Sequence, residues 1–202
     1  MLLDLRQRMD DELMRRAFYA VKTDYTAVFY VVEEIQVSGA NPIGRRLRFK
    51  TVTELFGEKV VERLRAACDD LAEASRCLVA GRNKACVFHL MRAIEVGVLK
   101  IAKLLGIKDA KPSWGSILSQ LERVVLRTRY EERFPDLNKH IGFLEAILPE
   151  MQAIQRAWRN KVSHVEDKIL PEGEYTDEIA YNIMQATKVF ICQIALDLPE
   201  GL

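Results

Sequence analysis

The stretch NKACVFHLMRAIEVGVLKIAKLL, Asn83 to Leu105, decides the fold. It holds no proline and a single glycine, and it is apolar round much of its girth. A helix of that kind lies inside a bundle rather than on its surface. Gly106 follows as a natural stop. The central element is therefore a long buried helix, and its neighbours must be elements able to cover it.

Upstream, Val60, Val61, Leu64, Ala67, Cys68, Leu71, Ala74 and Leu78 recur at steps of three and four. That spacing predicts one amphipathic helix from Glu58 to Val79, closed by Gly81. Downstream, Ser113 is a candidate N-cap for a helix from Trp114 to about Thr128. The polar stretch RTRYEERFPDLN leads to a further helical region from about Asn138 to His164. Pro149 inside it must kink the helix or begin a new one. After ILPEGEYTDE, Thr176 is a candidate N-cap, and Asp177 and Glu178 suit the positive end of a helix dipole. A last amphipathic helix runs to about Leu198.

The beginning of the chain is less uniform. Leu2 to about Ala20 reads as a helix of mixed charge. DYTAVFYVVEEIQV has the β-branched and aromatic content of a strand between flanks that suit a helix, and both readings stay open. SGANPIG is turn chemistry. RRLRFK then gathers Arg45, Arg46, Arg48 and Lys50, a candidate RNA-contacting run whose plainer reading is a solvated charged loop. The expected organisation is all-α: an N-terminal helical arm or subdomain over residues 1–52, and a helical bundle over 53–202.

Composition narrows the function classes. Lys and Arg number 30 against 29 Asp and Glu, a formal charge of +1, so nucleic-acid contact would need a local patch. Cys68, Cys77, Cys86 and Cys192 lack C-x-x-C spacing and sit among apolar residues. They read as reduced core thiols, with no metal site and no cofactor expected. The charged MLLDLRQRMDDELMRR lacks the features of a secretory signal, and no window approaches eighteen uncharged apolar residues. A cytoplasmic protein without a membrane partner is expected. Phosphate loops, nucleophile elbows and H-E-x-x-H zinc motifs are absent from the sequence.

What remains is AWRNKVSHVEDK, Ala157 to Lys168. An arginine can hold a phosphate with two donors and neutralise charge in a transition state. A histidine can move a proton near neutral pH. With RNA the nucleophile can be the substrate's own 2′-hydroxyl. Spacing alone is weak evidence, because Arg82–His89, Arg133–His140 and Arg159–His164 all share it. His89 lies in the most apolar helix and reads as a hydrogen-bonded core residue. Arg92 and Glu95 on that helix read as a structural polar pair, able to support a site from behind. His140 opens a helix in polar surroundings. His164 stands at a helix end, with Asn160 four residues before it on the same face. A cation cluster there also has a plain reading, as a partner for the helix dipole.

Arg159–Asn160–Lys161–Val162–Ser163–His164 resembles the R-x(4–6)-H signature of HEPN domains, including the polar residue after the arginine. LVAGRNKACVFHLMRAIEVGVLKIAKLLGI, Trp114 to Leu118 and Ala157 to Asn160 are similar to mostly uncharacterised bacterial members of that group. The resemblance spans roughly residues 57 to 198. It implies a bundle of four to five helices and a homodimer that joins two motifs in one cleft. It implies a metal-independent endoribonuclease of a toxin–antitoxin or phage-defence system, with RNA as substrate and an antitoxin protein as possible partner. Arg159 would stabilise the scissile phosphate, His164 would act as general acid or base, and Asn160 would position one of them. Val165–Glu166–Asp167 departs from the glycine or tyrosine that many members carry after the histidine. Some HEPN domains are non-catalytic interaction or dimerisation modules, partners of a nucleotidyltransferase or antitoxin, which is the alternative reading.

Overall fold

The computed structural model describes residues 29–36, 43–109, 112–128, 137, 140–156 and 175–199. Among these, an antiparallel hairpin of two strands precedes seven α-helices. The all-α class holds, with the hairpin as an addition.

The hairpin pairs β1 (Tyr30–Gln36) with β2 (Ile43–Phe49), in register from Tyr30↔Phe49 to Gln36↔Ile43. This corrects the expectation of a helical arm over its described part. The β-branched run after Phe29 finds a partner strand in IGRRLRF, and the register sets Glu33 opposite Arg46 and Glu34 opposite Arg45. Residues 1–28, read as helix up to about Ala20, lie outside the described residues. The hairpin is fastened at its base: Phe29 is buried in the bundle core, stacks on Phe49 at 6.2 Å, and accepts at its carbonyl from Lys50 N–H.

Thr51 opens the bundle. Its side chain accepts from Glu54 N–H while the Glu54 carboxylate accepts from Thr51 N–H, a capping box for α1 (Val52–Phe56). The single helix expected from Glu58 to Val79 is broken. It begins as α2 (Glu58–Arg63), departs from helical geometry at Leu64 (φ −124°), passes through a 3-10 turn at Arg65–Ala67, and resumes as α3 (Cys68–Val79). The apolar steps survive the break, since Val60, Leu64, Ala67, Leu71, Ala74 and Leu78 are all buried.

Gly81 (φ +69°) ends α3 as expected. Gly81 N–H donates to Leu78 C=O and Arg82 N–H to Cys77 C=O, the paired bonds of a Schellman motif. The chain then turns back into α4 (Asn83–Leu104), antiparallel to α3 and closed by the same motif at Gly106 (φ +70°). Leu90, Ile94 and Ile101 of α4 are fully buried, each worth about 1.5–3 kcal/mol of burial.

Ser113 caps α5 (Trp114–Thr128) by accepting from Ser116 N–H. Helix α6 (Ile141–Ile154) packs on α5 and runs through Pro149, and a π-type turn follows at Gln155 and Arg156. Thr176 caps α7 (Asp177–Asp197) by accepting from Ile179 N–H. Helix α7 lies along α4 and reaches α2. At its far end, Arg63 donates to the carbonyls of Ala195 (2.9 Å), Leu198 and Pro199. Among the described residues, α7 is the one helix long and apolar enough to cross a membrane, a composition the sequence reading did not expect. Its Ala180, Ile183, Met184, Phe190, Ile191 and Ile194 are buried within the bundle.

Candidate functional site

Arg159, Asn160 and His164 lie outside the described residues, as do Glu166 and Asp167. The structure shows where the chain bearing them returns. Asn83, first residue of α4, donates from Nδ2 to Tyr175 C=O (2.9 Å) and to Asp177 Oδ1 (2.7 Å). The start of α4 thus holds the start of α7. Asn83 Oδ1 is buried with no hydrogen-bond partner among the described residues. Arg82, in front of it, makes no side-chain cap, and the first N–H groups of α4 are therefore left to other partners.

Of the basic run, Arg45, Arg46 and Arg48 all belong to β2. Arg48 grips Glu54 through two donors at 2.7 and 2.8 Å and also donates to Phe49 C=O. That fork, reinforced by Thr51, pulls the Glu54 carboxyl down to about 2. Lys50 follows the strand, half-buried.

The polar residues that the fold does bring together lie along the α3–α4 hairpin. His89 Nδ1 meets Asp70 Oδ1 at 2.8 Å, and Arg92 Nε donates to both Asp70 oxygens at 3.0 and 3.1 Å. Arg92, expected to pair with Glu95 along its own helix, is therefore held across the hairpin. His89 is hydrogen-bonded as expected, but at the edge of the core, its side chain 26 % exposed. The Phe88 ring stands edge-on to His89 at 5.6 Å, and the Arg92 guanidinium lies 5.9 Å from its centroid. His140 precedes α6, half-buried, and its carbonyl accepts from Leu144 N–H.

Nearer the Gly81 turn, Glu73 pairs with Arg76 (3.2 Å) and Arg82 (3.6 Å), and the Arg76 hydrogen bond leads in lowering its carboxyl. Cys77 Sγ lies 3.7 Å from Glu73 Oε1, and burial pushes its thiol up. Burial, with a smaller contribution from Cys77, pushes the Cys86 thiol to about 12. All four cysteines are free. A Glu73 carboxylate oxygen, Cys77 Sγ and a His89 ring nitrogen lie within 4.8 Å of one another.

The sequence reading missed Asp70 as the partner of His89 and Arg92, and Glu73 and Cys77 as neighbours of His89. A signal existed. Once Gly81 is taken as the turn of an antiparallel helical hairpin, residues equidistant from it face each other. Asp70 pairs with Arg92 in that way, and Glu73 comes near His89. No family model, no curated protein and no solved structure matches the chain.

Proposed function

We propose that the chain is a HEPN-type, metal-independent endoribonuclease of a bacterial toxin–antitoxin or phage-defence system, acting as a cytoplasmic homodimer. The observation that carries the reading is the order Arg159–Asn160–x–x–x–His164 followed by the closing amphipathic helix of an all-α bundle. In this reading Arg159 neutralises the scissile phosphate as charge builds on it. His164 takes the proton from the attacking 2′-hydroxyl or gives one to the leaving 5′-oxygen. Asn160, one helical turn earlier, orients one of them. The products carry a cyclic phosphate and a 5′-hydroxyl. Support also comes from the Asn83 tether, which returns this connection to the N-terminal ends of α4 and α7. Backbone N–H groups at such ends favour anions.

Incubation of the purified chain with RNA in the presence of a chelator tests this. Cleavage to cyclic-phosphate ends, abolished in both Arg159→Ala and His164→Ala, is the expected result. Intact RNA with folded protein defeats the reading.

A second reading, a non-catalytic interaction module, is favoured by the outer face of α7. Val189 and Leu196 are exposed there, seven residues apart and so on one side of the helix. Intact RNA together with a protein partner bound through that face would select it.

A further inference from the structure

We propose that Glu73, Cys77 and His89 form a binding site for a divalent ion of the zinc class, clipping α3 to α4. Glu73 and Cys77 are one turn apart on α3 and share a face. His89 comes across from α4, completing a set whose donor atoms lie within 4.8 Å of one another. A thiolate, an imidazole and a carboxylate are all ligands that zinc accepts. In a tetrahedral zinc site such atoms stand about 3.5 Å apart, following from bond lengths near 2.0–2.3 Å. The Cys77–Glu73 separation of 3.7 Å already approaches that. Rotation of the Glu73 and His89 side chains, both partly exposed, supplies the remaining contraction.

A second observation points to a ligand. Asp70 sits 2.8 Å from His89 Nδ1. When Asp70 accepts from Nδ1–H, the lone pair of the neutral ring lies on Nε2. Metal-bound histidines almost always donate their other ring N–H to a carboxylate, a backbone carbonyl or a water, which orients the ring and raises ligand basicity. Asp70 is in turn held by Arg92. Glu73 Oε2 can keep its contact with Arg76 while Oε1, the atom facing Cys77, exchanges its 3.6 Å ion pair with Arg82 for the ion. On binding, the Cys77 thiol gives its proton to solvent and coordinates as thiolate. Two negative ligands then balance a divalent charge, and the fourth position is open to water. This site shares no residue with the proposed Arg159–His164 chemistry, which needs no metal.

Titration of the metal-free full chain with cobalt(II) tests the proposal. The expected result is one equivalent bound with a thiolate-to-cobalt charge-transfer band, and zinc displacing it. Cys77→Ser abolishes the band, whereas Cys68→Ser and Cys192→Ser keep it. Asp70→Asn weakens affinity by about 10–100-fold. If Cys77→Ser loses its helical circular dichroism, His89→Gln carries the same expectation from a more exposed position. Absence of cobalt binding by the folded wild type overturns the proposal, as does a band unchanged in Cys77→Ser or His89→Gln.

Discussion

Gly97 of α4 lies against Ile194 of α7 so closely that a Cβ on Gly97 would stand 2.8 Å from Ile194 Cδ1. The same Cβ would meet Ile191 Cδ1 at 3.5 Å and Phe190 at 3.7 Å. The absence of a side chain at this position lets the two longest helices approach. Gly97→Val is expected to destabilise the bundle by about 1–3 kcal/mol through overpacking. Gly97→Ala costs less, since the Ile194 tip can rotate and alanine gains about 1 kcal/mol in helix propensity. Denaturant midpoints of the two variants check the order.

Arg63 holds the C-terminal end of α7 through three carbonyls. Removing the guanidinium in Arg63→Ala should lower stability by about 1.5–3 kcal/mol, the range for hydrogen bonds to a charged group. Lysine should restore little, because its point charge cannot span carbonyls that a planar fork reaches together. Chemical denaturation of Arg63→Ala and Arg63→Lys measures both.

Thr187 is fully buried in α7, and its hydroxyl has no hydrogen-bond partner among the described residues. Thr187→Val keeps the shape and removes a polar atom from apolar surroundings. The expected outcome is a gain of about 1 kcal/mol, read as a higher thermal midpoint.

Glu54 has a carboxyl lowered from 4.5 to about 2, first by its hydrogen bond from Arg48 and then by Thr51. A depressed carboxylate stabilises the folded chain above its unfolded value and stops doing so when protonated in the fold. The contribution is therefore whole above pH 4.5 and is lost as pH falls toward about 2. Denaturant midpoints of Glu54→Gln and wild type should differ near neutrality and converge across that acid window.

Local chemistry made much of this fold legible. Gly81 and Gly106 stop their helices, and Ser113 and Thr176 start theirs, by bonds that span only a few residues. The break at Leu64 left no such trace. The apolar steps run straight through it, and the Arg63 contacts that accompany it come from the far end of the chain. The stretch from Tyr30 to Gln36 was undecided because a strand depends on its partner, here Ile43 to Phe49. Of the candidate site, the sequence offered His89 and Arg92 but not Asp70, whose role depends on two helices folding back about Gly81.

Helix α7 is gripped by groups that all precede it by a long stretch of chain: Asn83 at its first turn, the α4 face around Gly97 along its side, and Arg63 at its last carbonyls. None of these grips belongs to residues 157–174, the connection that leads into it. A chain severed between residues 156 and 175 should therefore reassemble from its two pieces. The closing helix would behave as a detachable plug, able to be supplied on a separate peptide and to take its place without the covalent link.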